Sequence, residues 1–112
     1  MYENFTSDKS DKIRENIEDI FVELLDAGYE VVVECKLINM SDDYYCEVKL
    51  SKGGSDINFD EIKECCMMFE DFISDKSPKD LKYYNRYKQD SHFPLYDSSL
   101  IKFIKIAVYI NI

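Results

Sequence analysis

Several ingredients of catalytic, redox and membrane sites are scarce in this 112-residue chain. There is one histidine, His92, which excludes a multi-histidine metal centre and reads as an ordinary loop residue. Of the three glycines, Gly53 and Gly54 are adjacent but lack the Lys-Ser/Thr of a phosphate-binding loop, so they read as a turn. The four cysteines, Cys35, Cys46, Cys65 and Cys66, have no C-x-x-C spacing and sit in runs that read as core, the pattern of buried free thiols in a reducing compartment. No apolar run is long enough for a bilayer: the last 13 residues are interrupted by Lys102 and Lys105. The opening Met1-Tyr2-Glu3-Asn4 is polar and acidic, unlike a secretory signal. These absences point to a cytoplasmic protein with no membrane segment, no metal and no cofactor.

Positive charge is also short. Fourteen Lys and Arg face 23 Asp and Glu, a net charge of −9, which disfavours bare nucleic acid or an anionic membrane as a partner. Residues 1–75 hold 20 acids and 7 bases, whereas residues 76–112 hold 3 acids and 7 bases. Such end-against-end polarity is satisfied inside the fold, drives self-association, or marks an acidic surface for a basic partner.

What is present is enough for one folded domain over residues 1–112, with residues 1–10 read as a flexible arm. Hydrophobic residues make up 46% of the chain and aromatics 14%. Ile13, Ile17, Ile20, Phe21, Leu24 and Leu25 recur at helical spacing, predicting one helix from about Ser7 to Asp11 through Ala27, ended by Gly28. Residues 29–51 alternate with period two on either side of a polar turn, which predicts a hairpin. For apolar residues to face each other, paired numbers must sum to 81 or 83. The second option sets Lys36 against Glu47 and Glu34 against Lys49, avoids opposing Glu34 to Glu47, and leaves Met40-Ser41-Asp42-Asp43 as the loop. It also places Cys35 opposite Val48 and Cys46 opposite Leu37, which disfavours a cross-strand disulfide.

Asn58 with Glu61 looks like a capping box opening a second helix, whose apolar stripe is Phe59, Ile62, Cys66, Phe69 and Ile73, widened by Cys65, Met68 and Phe72. Ser77-Pro78 has the form of a cap followed by Pro at the first helical position, predicting a short third helix from Lys79 to about Lys88. An irregular stretch at residues 90–98 follows. Ile104, Ile106, Val108, Ile110 and Ile112 then mark a β-branched last strand, which must dock on the hairpin or on another chain. The fold class is therefore α+β: two layers in the order α-β-β-α-(short α)-β, with two helices on one face of a small sheet.

Three constellations bear on function. Two helices displaying Glu15, Glu18, Glu23, Glu64, Glu70 and Asp71 suit a non-catalytic protein that binds a basic surface of another protein. The segment with Lys79, Lys82, Tyr83, Arg86, Tyr87 and Lys88 interleaves bases with aromatics, chemistry that grips single strands elsewhere, although the net charge speaks against nucleic acid here. An alternative reading is a self-assembling or virion-associated subunit that adds its C-terminal strand to a neighbour's sheet.

Two resemblances accompany these readings. Glu47-Val48-Lys49-Leu50, followed by a Gly-containing loop and a helix, resembles the E-x-K strand of PD-(D/E)xK nucleases over about a quarter of the chain. The resemblance implies Glu47 as metal ligand and Lys49 as helper of the attacking water, with Glu34 or Asp43 replacing the Asp that the neighbouring strand lacks. Cross-strand ion pairs account for the same residues, so neither a catalytic nor a metal site is expected. The sequence texture, with Asp26-Ala27-Gly28-Tyr29 before a valine-rich strand, resembles small uncharacterised proteins of large tailed bacteriophages. That resemblance implies intracellular expression in a host and an accessory, inhibitory or virion-associated role.

Overall fold

A computed structural model describes residues 5–38, 42–85, 88–90 and 102–111. Its elements are α1 (Phe5–Ile20), α2 (Val22–Asp26), β1 (Glu30–Leu37), β2 (Asp43–Ser51), α3 (Phe59–Ile73), β3 (Lys79–Asn85), β4 (Lys88–Asp90) and β5 (Phe103–Asn111). The α+β class expected from the sequence holds. The strands form one antiparallel sheet in the order β1-β2-β5-β3-β4.

The sheet is one-sided because its strands alternate. Tyr44, Cys46, Val48 and Leu50 of β2 and Ile104, Ile106, Val108 and Ile110 of β5 are buried, while Tyr45, Glu47, Lys49, Lys105 and Tyr109 between them stay half-exposed. The buried set joins one core cluster with Ile13, Ile17 and Phe21 of the N-terminal helical segment and Ile62, Cys66, Phe69 and Ile73 of α3. Phe21 meets Phe69 with ring centroids 6.0 Å apart. Burying an aromatic of this size contributes roughly 1.5–3 kcal/mol by transfer alone.

The first helix starts earlier than expected, at Phe5, so residues 5–10 are helical rather than part of an arm; residues 1–4 lie outside the described set. It also breaks. Phe21 adopts φ −98° and ψ 7°, separating α1 from the five-residue α2. The break turns the stripe, so Leu24 stays buried while Leu25 is 52% exposed, against its expected place in the core. The predicted stop at Gly28 is a Schellman closure: at φ +94°, Gly28 N–H donates to the Leu25 carbonyl and Tyr29 N–H to the Leu24 carbonyl.

Further expectations about the sheet need correction. The hairpin register sums to 81, with Glu34 opposite Glu47, Val33 opposite Val48 and Cys35 opposite Cys46. Avoiding one like-charge pair on a solvated face is worth under about 1 kcal/mol, too little to set the register. Glu47 is instead neutralised within its own strand by Lys49, at 3.2 Å, and by the Tyr45 hydroxyl, at 2.7 Å. The Ile38 N–H to Asp43 carbonyl bond closes the hairpin; the predicted loop residues Met40 and Ser41 lie outside the described set.

The second correction concerns the short helix expected from Lys79 to about Lys88: residues 79–85 are the strand β3 and Lys88 opens β4. Leu81 and Tyr83 turn to the core and Lys82 and Tyr84 are half-exposed, a period of two that satisfies the second edge of β5. Ser77, expected as a helix cap, has φ +50° and turns the chain out of α3, while the Lys76 carbonyl accepts from Asn111 N–H at 2.7 Å. A bulge between Lys79 and Lys82, with Asp80 at φ +54°, fits the irregular pairing there. The strand reading of the C-terminus is correct, but β5 lies between β2 and β3, so the edge it was to offer a neighbouring subunit is occupied within the chain. Residues 91–101, with His92, lie outside the described set.

Phe69→Ala should cost about 3–5 kcal/mol through the cavity it opens against Phe21, whereas Met68→Ala, on the exposed side of the same helix, should stay within about 0.5 kcal/mol. Urea unfolding followed by circular dichroism checks both.

Candidate functional site

α3 carries two stripes. Ile62, Cys66, Phe69 and Ile73 recur at helical spacing and are buried. Glu64, Met67, Met68 and Asp71 also recur at three and four residues, on the other side, and are exposed. Together with Ile20 at the end of α1 and half-buried Phe72, they line an open groove of about 710 Å³. Met67 and Met68 are 57% and 49% exposed, so Met68 does not belong to the core stripe as expected. The side chain of Phe59, assigned to that stripe from the sequence, is outside the described set.

The acids expected to form a partner surface divide into three groups. Glu64 and Asp71 stand on the groove. Glu23 of α2 is exposed and, with Glu64, acts on Cys65: burial chiefly, then the charges of Glu23 and Glu64, raise that thiol above its ordinary value. Glu70 is half-buried and accepts a hydrogen bond from the Tyr83 hydroxyl. Burial and that bond push the Tyr83 phenol upward. Glu15 and Glu18 are exposed on α1, with Arg14 3.9 Å from Glu18.

α3 is oriented by a junction at its first turn. The Asn58 side chain accepts from Asp60 N–H at 2.9 Å, as a cap should. The reciprocal half of the expected capping box runs through a third residue: Asn58 N–H donates to the Tyr29 hydroxyl at 3.1 Å, and that hydroxyl donates to Glu61 at 2.7 Å. Lys52 closes the group, 3.0 Å from Glu61 and 5.1 Å from the Tyr29 ring centre. Burial and the Glu61 hydrogen bond push the Tyr29 phenol up to about 12. This ties the start of β1 to the helix that bears the groove.

The open sheet face is arranged as a charge lattice. Burial alone would raise the Glu47 carboxyl, but the Tyr45 hydroxyl, Lys49 and Lys105 outweigh it and the net direction is down. Glu34 is exposed opposite it, so the two glutamates of the nuclease-like reading are neighbours across the hairpin, while Asp43 pairs with Lys79 at 3.3 Å. Lys49, cast as helper of a water, is ion-paired to Glu47. Among the described residues no group of three or more His, Cys, Asp or Glu side chains could hold a metal ion.

The basic-aromatic segment is dispersed. Tyr83 is buried, Lys79 is engaged with Asp43, and Lys82 and Tyr84 are half-exposed, with Lys105 4.5 Å from the Tyr84 ring centre. Arg86 and Tyr87 lie outside the described set, and Lys88 is described only as backbone of β4. The charge asymmetry of the sequence is met partly inside the fold, since Lys79 reaches Asp43 and Lys102 reaches Asp56 at 2.9 Å.

Sequence reasoning missed Met67, Ile20 and Phe72 as groove residues and the facing of Cys35 and Cys46. The spacing of Glu64, Met67, Met68 and Asp71 at three and four residues was a usable signal, because residues so spaced share one helix face. No helix among the described residues is long and apolar enough to cross a membrane. The chain matches no family model, no curated protein and no solved structure.

Tyr29→Phe should destabilise the fold by about 1–3 kcal/mol at neutral pH, because it strips Glu61 of a donor and Asn58 N–H of its acceptor. A phenol raised in the folded state contributes stability that is full below the unfolded value of 10.0 and is lost as pH climbs through about 12. The gap between wild type and variant should therefore shrink across that window. Unfolding at a series of alkaline pH values measures it.

Proposed function

We propose that this protein is a non-catalytic interaction module whose helix layer receives a basic, amphipathic helical segment of another protein. The observation that carries the reading is the groove: an apolar floor of Ile20, Met67, Met68 and Phe72 flanked by Glu64 and Asp71. Unbranched, polarisable methionine side chains adapt to varied apolar anchors, and half-exposed neighbouring methionines are common where helices are bound. The two carboxylates supply the matching charge for Lys or Arg on the partner's polar face, with Glu23, Glu15 and Glu18 adding to the long-range field. Electrostatic attraction of this kind speeds encounter, while the apolar floor sets residence time.

The acidic sequence supports the same reading, and its phage-like texture makes a host protein the natural partner. Glu70 falls out of the binding set because its carboxylate serves Tyr83. No enzymatic step is assigned, since Glu47 and Lys49 neutralise each other.

The test uses a synthetic Leu/Lys amphipathic helical peptide containing one tryptophan, a clean fluorophore because the protein has none. Saturable binding that weakens with added salt is expected. Met67→Ser with Met68→Ser should weaken it at least about tenfold, and Glu64→Lys with Asp71→Lys should do the same while flattening the salt dependence. A peptide of the same apolar pattern with Glu in place of Lys should not bind. Absence of saturable binding at low salt, or equal binding to the methionine variant, would overturn the proposal.

A further inference from the structure

The register of the hairpin sets Cys35 directly opposite Cys46, and their sulfurs lie 3.2 Å apart, with the Cys35 S–H donating to Cys46. Directly opposed residues of an antiparallel pair have Cα atoms about 4.5–5.5 Å apart, inside the roughly 4.4–6.8 Å range that a disulfide spans. The two sulfurs therefore need only close from contact to bonding distance, without a change of strand pairing. The environments of the two thiols differ: Cys35, on an edge strand, is half-exposed, whereas Cys46 is fully buried.

We infer that Cys35 and Cys46 form a dithiol site that reacts with small-molecule disulfides to cross-link the edge strand β1 to β2. Cys35, as thiolate, attacks one sulfur of a small disulfide, breaking its S–S bond and releasing one small thiolate. Cys46, as thiolate, then attacks the Cys35 sulfur of the mixed disulfide and expels the second small thiolate. Each released thiolate takes up one of the two protons lost by the cysteines. Two protein thiols and one small disulfide thus become one protein disulfide and two small thiols.

The asymmetry of the pair fits this order. The half-exposed thiol meets the reagent, and the buried one needs no access to solvent because its target sulfur is already in contact with it. The hydrogen-bonded contact between the two thiols and burial together push the Cys46 thiol upward, and that contact between thiols ends once Cys35 is part of the mixed disulfide. Cys65 and Cys66 are both buried on α3 and are not part of the pair. The site is independent of the groove, so either assignment stands or falls alone.

The experiment incubates the native protein with excess glutathione disulfide, quenches with acid, and counts thiols after denaturation. The expected result is a fall from four free thiols to two, a mass lower by about 2 Da from the loss of two hydrogens, and a peptide map joining Cys35 to Cys46. Cys35→Ser, at the half-exposed position, should keep its three thiols under the same treatment; circular dichroism confirms that it is folded. Four thiols remaining in the wild type, a glutathione adduct persisting on Cys35, or a link involving Cys65 or Cys66 would overturn the assignment.

Discussion

The constraint on which the molecule depends is the burial of one face of β5 and β2 together. Ile104, Ile106, Val108 and Ile110 lie against Tyr44, Cys46, Val48 and Leu50, and every one of these eight side chains is almost wholly excluded from solvent. A sheet face this apolar must be covered, and the stripes of α1 and α3 cover it from the same cluster. β5 also needs hydrogen-bonding partners on both edges, because a β-branched strand left open is an aggregation hazard. The segment after α3 fills the second edge, which is why residues with acceptable helix signals become strand.

From that core the surface follows in two parts. On the sheet side, several charges and hydroxyls are engaged with one another: Glu47 with Tyr45 and Lys49, Asp43 with Lys79, and Lys105 over Tyr84. On the helix side, Glu64 and Asp71 of the second stripe of α3 are exposed beside the groove, and its methionines face solvent. The contrast decides which face is read as the interaction surface. A surface whose charges already neutralise one another offers a partner little, while an apolar strip beside exposed carboxylates offers both area and sign.

Tyr29 connects the two parts. Standing at the Schellman turn, before the hairpin begins, it passes a hydrogen bond from Asn58 N–H to Glu61 and so fixes the first turn of α3. The groove on α3 is thereby oriented by a residue that sequence inspection assigns simply to the buried face of a strand. Capping-box residues were visible as Asn58 and Glu61, but the hydroxyl between them comes from 29 positions earlier in the chain. Proximity of that kind is a product of packing.

Local pattern sufficed for the hairpin, the last strand, the helix stop at Gly28, the start of α3 and the α+β class, because each rests on a period or a cap contained within a few residues. It also identified Glu64 and Asp71 as displayed acids. The register of the hairpin, the strand identity of residues 79–85, the position of β5 inside the sheet and the approach of Cys35 to Cys46 were decided only in three dimensions. The reason is energetic scale: pairwise charge preferences and a Ser-Pro cap are each worth about 1 kcal/mol, while the shared core that fixes register and strand order buries many side chains at once.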